Sequence, residues 1–535
     1  MNHKAPVIIL AAGRGSRFGA QADTLHKGLL PIHGRPVLNH ILEKFAGHRC
    51  IFAIGHLKDQ LKEYLEILGP EQSCEFITVD NYSGPGSGPG TSLLACREAV
   101  TGPFYTISCD TLVTDPIPSI DTNWIGVAPV DNPARFCTAA LDPRGNVLDL
   151  SDKSATTKNH LAYIGLAGIR SAEKFWEALE RRTTLIQNER QVSNGLTALI
   201  PGLVGKRFHW LDTGTPEALA AARRQLGETG ADWSKTSEQT YVVPPTVIKW
   251  SASEKSVKQK VARAHLLQGR VPKVLKLGRH FFAYDYSRGK TLYQAENHFS
   301  FDALMNWLTD QLWTTPLPKS FNETQFRKSC DEFYRQKTSD RLKCLGTRKL
   351  GGIAGDRWAK AIKRAQIEWQ GFPWTQFVDK AIPCVFHGDL NFGNMIRTHD
   401  GFSLIDWREE FAGLAYGDLY YDLGKLYAGL CVNFELIRNR GCPRLSIDRD
   451  GVPSAETHDS DFLVACRQKF ESHCLKRNWD LDHVKLVAAS TFFNMAPLHV
   501  PPLDAYFLAV GLEKLATWRM ALLEPAEFSN KTVTL

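Results

Sequence analysis

None of the twelve cysteines stands in a C-x-x-C pair, and their spacing fits neither a zinc site nor a small disulfide framework. Reduced thiols in a reducing compartment are expected. No stretch reaches the roughly 18 apolar residues a membrane-spanning helix needs. The apolar run behind Met1-Asn2-His3-Lys4-Ala5-Pro6 is too short for a signal peptide. There is no low-complexity block and no repeat at a fixed period. A net charge of +7 is small for 535 residues, and the lysines and arginines are scattered, so the basic stripe of a nucleic-acid binder is missing. These absences predict a cytoplasmic protein with no membrane and no nucleic-acid partner. Oligomeric state stays open, a homo-oligomer included.

What is present is globular. Hydrophobic residues make up 43% and charged residues 23%. The length exceeds what one hydrophobic core serves and suggests roughly two to four domains. The first part alternates between strand and helix patterns. Val7-Ile8-Ile9-Leu10 reads as a buried parallel strand, and Cys50–Ile54, Phe76–Val79 and Phe104–Ser108 as further strands. Leu38, Ile41, Leu42 and Phe45 recur at helical spacing. Strands alternating with helices imply a sheet with helices on both faces. Thr215 is a fitting N-cap, with Pro216 at the first helical position. The polar run after Gly227 reads as a linker. Tyr241–Trp250 is strand-like, Lys255–Leu267 helical, Phe281–Tyr286 apolar and aromatic, and a helix-rich, tryptophan-rich stretch follows.

Two motifs carry chemistry. The first strand runs into Leu10-Ala11-Ala12-Gly13-Arg14-Gly15-Ser16-Arg17-Phe18-Gly19. Small residues after a buried strand let backbone N–H groups approach a phosphate. A dinucleotide fingerprint would need its third glycine one position before Gly19, and no Walker A sequence is present. Arg14 and Arg17 suit a triphosphate and a pyrophosphate leaving group. Lys27-Gly28-Leu29-Leu30-Pro31-Ile32-His33-Gly34-Arg35-Pro36-Val37-Leu38 follows closely. The pair resembles the nucleotidylyltransferases that make NDP-sugars and CDP-alcohols, over about the first 225 residues.

That resemblance implies an α/β domain with a Rossmann-like parallel or mixed sheet. It implies that Leu10, Ala11, Ala12, Gly13, Arg14 and Gly15 hold the nucleotide with Arg17, and that Lys27 neutralises charge at the α-phosphate. Gly84–Gly90 and Thr91 would contact the base. Asp110 and Asp212 would be Mg²⁺ ligands, two carboxylates and a hard cation being what nucleotidyl transfer calls for.

The second motif is Val385-Phe386-His387-Gly388-Asp389-Leu390-Asn391-Phe392-Gly393-Asn394-Met395-Ile396, then Phe402-Ser403-Leu404-Ile405-Asp406-Trp407. A carboxylate to face an acceptor hydroxyl, then an asparagine and an aspartate to hold Mg²⁺ on a nucleotide, make a phosphoryl-transfer site. Glycine replaces the arginine of H-R-D, and Ile-Asp-Trp stands in for D-F-G. In this the chain resembles choline kinases and aminoglycoside phosphotransferases, strongly from Val385 to about Leu426. The resemblance implies an α+β bilobal, protein-kinase-like domain that uses ATP. Asp389 would be the base and Asn394 and Asp406 metal ligands. Asp418 and Asp422 would brace the catalytic loop. Lys249 would touch ATP phosphates, although Lys255–Leu267 lacks the usual partner glutamate and leaves Glu254 as the substitute.

The expected layout is a nucleotidylyltransferase over 1–228, a linker at 229–240 and a kinase over 241–535. A kinase makes a phosphomonoester and a nucleotidylyltransferase consumes one. The fusion therefore reads as a two-step enzyme that phosphorylates a small acceptor with ATP, then adds a nucleotidyl group from CTP or another NTP. The favoured product is a CDP-alcohol for a surface polymer. A sugar kinase coupled to NDP-sugar synthesis is one alternative, and a non-catalytic kinase-like module is another. Trp307, Trp313, Trp358, Trp369, Trp374 and Trp407 leave open an aromatic cage for a quaternary ammonium or plain core packing. Arg408 stands where choline kinases commonly carry a glutamate, which weakens choline as the acceptor.

Overall fold

Residues of the Val7–Ala11 strand alternate between two cores. Val7, Ile9 and Ala11 enter one, and Ile8, Leu10 and Ala12 the other, as period-two geometry requires of a strand covered on both faces. This strand is central to a sheet in the computed structural model, which describes residues 4–69, 73–154, 157, 159–228, 237–296, 298–346, 355–457 and 460–523. Cys74–Thr78, Cys50–Ile54, Val7–Ala11 and Phe104–Ser108 lie side by side and parallel. Leu161–Ile169 then joins antiparallel to Phe104–Ser108 and to Asn123–Pro129, so the sheet is mixed. Leu203–Arg207 extends it parallel to Asn123–Pro129, and the Cys137–Leu141/Val147–Asp152 hairpin closes another edge. The expected helix is Val37–Lys44. Thr215 caps Pro216–Gln225 by accepting from the Ala218 N–H at 3.2 Å.

Parallel neighbours deliver their carboxyl ends to one edge. Leu10 is in register with Ser108, and the Cys109 N–H donates to the Leu10 carbonyl at 3.1 Å. The loop after Ala11 and the residue Asp110 therefore emerge together. Trp210–Asp212 pairs antiparallel with Thr111–Val113, which sets Asp212 opposite Thr111.

The chain divides into two compact units. The first comprises Met1–Glu228, Lys235–Ser253 and Lys276–Ala283; the second comprises Thr229–Ser234, Glu254–Leu275 and Tyr284–Leu535. Of the linker expected at 229–240, residues 229–236 lie outside the described residues. The strand-like stretch after it is a hairpin, Glu238–Val243 with Thr246–Ser251, and belongs to the first unit. There the Tyr241 ring meets the Tyr64 ring edge-on at 5.6 Å, and its hydroxyl donates to the Leu29 carbonyl at 2.8 Å.

The second unit is mostly helical. It opens on Glu254–Leu266, one residue off the expected helix, and includes Leu419–Cys431, Asp461–Lys476, Leu481–Met495 and Leu503–Leu523. A hairpin of Met395–Arg397 with Phe402–Leu404 carries the second motif. The tryptophans settle into core packing: all of the six but Trp307 are buried. Trp369 packs on Trp374 at 4.7 Å, while Trp313 and Trp407 spend their indole N–H groups on Asp422 and the Lys260 carbonyl. No helix among the described residues is long and apolar enough to cross a membrane, and all twelve cysteines are free thiols.

The Leu419–Cys431 and Leu481–Met495 helices approach closely at Gly424. A side-chain carbon there would lie 2.5 Å from Val487 Cγ1 and 3.1 Å from the Ala488 nitrogen. Gly424→Ala gains about 1 kcal/mol of helix propensity. Overpacking against backbone costs about 1–3 kcal/mol, and here the larger value applies because the neighbour cannot rotate away. The expected result is a net loss of stability, seen as a lower urea midpoint for the second unit.

Candidate functional site

In the first unit the glycine loop after Ala11 is open. Among the described residues the N–H groups of Gly13, Arg14 and Gly15 have no protein acceptor, and a side chain at Gly13 would meet nothing within 4 Å. Gly15 holds a left-handed backbone with φ 66°, which favours glycine, and its α-carbon faces the stem of Lys27. Leu10, Ala11 and Ala12 are buried and set the loop on the sheet edge. Arg14 points outward and pairs with Asp23 at 3.1 Å.

Behind the loop lies a charged cluster. Lys27 Nζ is 2.8 Å from Asp110 Oδ2, both groups mostly buried. A carbon placed on Gly214 would lie 3.1 Å from Asp212 Oδ1, 3.4 Å from Asp110 Oδ2 and 3.9 Å from Arg17 Nη1. Asp110, Asp212 and Arg17 thus face one space. Thr213 ties the two acidic segments by donating N–H and hydroxyl to the Asp110 carbonyl at 3.1 and 2.8 Å. Burial raises the Asp110 carboxyl, but the Lys27 ammonium overcomes this and holds it below the usual range. Asp212, desolvated and next to the Asp110 charge, is pushed up instead. Two converging carboxylates, one of them reluctant to stay ionised, fit a hard divalent cation such as Mg²⁺.

Gly84–Gly90 is not a free loop. Gly86 N–H donates to Asn188 O, Arg190 N–H to Ser87 O and Gly90 N–H to Arg190 O. A side chain on Gly90 would lie 2.7 Å from the Gln191 carbonyl, so only glycine fits. Thr91 turns its hydroxyl back to the Gly86 carbonyl at 2.7 Å. Lys249, also in the first unit, donates to Thr240 Oγ1 at 2.7 Å.

In the second unit Asp389, Asn394 and Asp406 are gathered. Asn394 Nδ2 donates to both the Asp389 carbonyl and Oδ2 at 2.9 Å, and its own amide oxygen has no protein donor among the described residues. The Ile405 N–H donates to the Asn394 carbonyl at 2.9 Å, and Asp406 follows in a left-handed conformation, φ 59°. Its charge bears on Asp389 and on Tyr284. An amide oxygen beside carboxylates fits Mg²⁺ as well. Gly388 takes the arginine's place for a steric reason: φ is 93°, and a side chain would lie 2.5 Å from Arg408 Cβ.

Asp422 pins the His387–Asp389 loop, accepting from the Gly388 N–H at 2.7 Å, the His387 N–H at 2.7 Å and Trp313 Nε1 at 3.1 Å. Asp418 accepts from Tyr334, Ile382 and Tyr420. Burial pushes both carboxyls up to about 6. Glu254 pairs with Lys258 one turn on, at 2.6 Å.

Residues 7–134 match the family model of the MobA-like NTP transferase domain. The chain is 25% identical over 250 residues to the bifunctional protein GlmU of Methanocaldococcus jannaschii, covering 45% of this chain and 59% of that protein. It is 27% identical over 241 residues to a low-salt glycan biosynthesis nucleotidyltransferase of Haloferax volcanii, covering 41% and 66%. Among solved structures it is similar to a putative glucose-1-phosphate thymidylyltransferase from Bacillus anthracis, at 20% identity, TM-score 0.36 and coverage of 43% and 98%. It is similar also to CTP:phosphocholine cytidylyltransferase from Streptococcus pneumoniae, at 16%, 0.35, and 42% and 99%. The chain spans about half to three-fifths of the length of the Methanocaldococcus and Methanococcus GlmU relatives. Its N-terminal part thus carries a MobA-like NTP transferase domain.

The structure adds further residues to both candidate sites. His26 is buried; its Nε2–H donates to the Ala11 carbonyl at 2.9 Å and its Nδ1 accepts the Gly28 N–H at 3.1 Å, joining the loop to the lysine segment. His387 repeats the arrangement, with Ile405 O at 3.0 Å and the Asp389 N–H at 3.3 Å. Lys425 Nζ pairs with Asp389 Oδ1 at 2.6 Å. It stands three residues after Asp422 on one helix, a spacing that shares a face and was readable. Arg263 had no sequence signal. Buried on the Glu254–Leu266 helix, it donates to the carbonyls of Phe386, Arg408 and Ala415, and its guanidinium lies 4.5 Å from the Phe386 ring centre.

Burial lowers His26 from 6.5 to about 4. A lowered base stabilises the fold fully above pH 6.5, and that contribution is lost as pH falls toward 4, because the unfolded chain takes up the proton first. His26→Gln removes this titration. The stability gap between wild type and variant should shrink by about 2–3 kcal/mol from about pH 7 to about pH 4.5 in urea titrations of the first unit. A constant gap would place the charged imidazole in the folded state.

Proposed function

We propose that the chain is a bifunctional enzyme. Its second unit transfers the γ-phosphoryl group of ATP to a hydroxyl of a small metabolite. Its first unit transfers a nucleotidyl group from an NTP to the resulting phosphomonoester and releases pyrophosphate. The observation that carries this reading is the convergence of Asp110, Asp212 and Arg17 on one space beside Lys27, within a domain that matches a family of NTP transferases.

In the first unit the open N–H groups of Gly13, Arg14 and Gly15 would bind the triphosphate, and Arg17 would stabilise the departing pyrophosphate. Lys27 would offset charge at the α-phosphorus as an acceptor phosphate oxygen attacks, the new P–O bond forming as the bond to pyrophosphate breaks. Asp110 and Asp212 would hold Mg²⁺, which when bound orients the phosphates and offsets their charge. In the second unit Asp389 would orient the acceptor hydroxyl and take its proton as the oxygen bonds to the γ-phosphorus and ADP leaves. Asn394 and Asp406 would hold the nucleotide's Mg²⁺.

CTP with a CDP-alcohol product is favoured by the Leu25-His26-Lys27 and Leu30–Gly34 segments, similar to phosphocholine cytidylyltransferases. A sugar phosphate acceptor and an NDP-sugar product form the second reading, supported by relatives named GlmU and by neighbours named UDP-glucose pyrophosphorylase. Product mass spectrometry with CTP and UTP offered together separates the two.

Asp389→Ala should abolish ADP formation yet still release pyrophosphate from an NTP when a phosphomonoester is supplied as acceptor. Asp110→Ala should do the reverse. Loss of both activities in either variant, with wild-type circular dichroism, would contradict two independent sites.

A further inference from the structure

The proposed base is held at both of its oxygens. Asn394 Nδ2 donates to Asp389 Oδ2 at 2.9 Å, and Lys425 Nζ stands 2.6 Å from Oδ1. Lys425 comes from the Leu419–Cys431 helix, three residues after Asp422, so the two side chains share a helix face. Asp422 fixes the His387 and Gly388 N–H groups. The face that sets the backbone of the loop thus also sets a cation on its carboxylate. Gly429, one turn further, lets the helix approach the loop closely: a side-chain carbon there would lie 3.1 Å from Asn391 Cβ.

The lysine is the more deeply set partner, its side chain 13% exposed against 41% for Asp389. Pairing with Asp389 uses one N–H of the ammonium, which has three. Among the described residues Lys425 meets no other acceptor. A charged donor set in the protein with N–H groups idle costs free energy, and an anion arriving beside it recovers that cost. Distance limits where the anion stands. A base lies within about 3 Å of the hydroxyl it serves, and that oxygen within about 3.5 Å of the atom it attacks. The ammonium is therefore within about 6 Å of the attacking oxygen, on a flexible stem that can turn toward the phosphorus. Burial works against the lysine's proton, but Asp389 outweighs burial, so the amine stays charged.

Resting on the kinase reading above, we infer that Lys425 is a catalytic residue of the second unit: its ammonium bridges Asp389 and the γ-phosphoryl group of ATP and offsets charge on the phosphoryl oxygens during transfer. The acceptor oxygen bonds to the γ-phosphorus as the bond to the ADP oxygen breaks. The hydroxyl proton passes to Asp389, and Lys425 keeps its own proton throughout.

The test uses the full chain with ATP and Mg²⁺, offers glucose, mannose, glycerol, choline and ethanolamine as acceptors, and reads ADP release. Lys425→Met should lower kcat about 100-fold or more while KM for ATP moves less than about threefold. Lys425→Gln, which can still donate to Asp389 but carries no charge, should lose as much. Lys425→Arg, which keeps the charge, should exceed both by about tenfold or more in kcat. A second measurement needs no acceptor and decides the matter where none of these is phosphorylated: titration calorimetry of Mg²⁺ and ADP with and without aluminium fluoride, a mimic of the phosphoryl group in flight. Lys425→Gln should weaken the fluoride complex about tenfold or more and leave ADP alone within about threefold. A kcat within about threefold of wild type in Lys425→Met or Lys425→Gln, or a rise in KM alone, would overturn the inference and leave the kinase reading standing. So would recovery by Gln equal to that by Arg, which would make Lys425 a positioning residue for Asp389. No ADP from any acceptor and no fluoride-dependent ADP binding, with the chain folded, would overturn the kinase reading itself and the inference with it.

Discussion

An aspartate taken out of water loses its charge unless a cation stays beside it. Both candidate sites are built around that constraint. Lys27 stands 2.8 Å from Asp110 in one unit, and Lys425 stands 2.6 Å from Asp389 in the other. In each case burial favours the neutral acid and the lysine reverses the outcome. The pairing keeps each carboxylate ionised and so able to accept a metal or a proton. The remaining site groups are arranged around these two pairs.

The surrounding backbone is pinned by the same device in both units. A buried imidazole donates through Nε2 to a carbonyl and accepts a backbone N–H at Nδ1, His26 for the Lys27 segment and His387 for the Asp389 loop. Burial keeps each ring neutral, at about 4, and the bifunctional bonding needs that neutrality. Asp422 and Arg263 complete the second site from opposite chemical directions. The carboxylate gathers N–H groups of the loop, and the guanidinium gathers carbonyls around it. A loop satisfied on both donors and acceptors has little freedom to drift, which is what a positioned base requires.

The proposed chemistry links the two units through a phosphomonoester, made by one and consumed by the other.

Local pattern was enough to read much of the chain. The Val7–Ala11 and Phe104–Ser108 strands, the Thr215 cap, the glycine loop and the His387–Asp406 motif all announce themselves through contiguous residues, because period, capping and tight turns act over a few positions. Reading Tyr241–Trp250 as one strand failed where Pro244-Pro245 breaks it into a hairpin. Lys425 was within reach through helical spacing. Arg263 and the histidine anchors were not, since a buried polar group is recognised by partners brought from elsewhere: Arg263 finds its carbonyls more than a hundred residues away. The sequence by itself determined which residue types were available for phosphate and metal chemistry and in what local order. Only the tertiary structure decided which of them share a space and which charges are paired, because electrostatic energy depends on distance through space and not on separation along the chain.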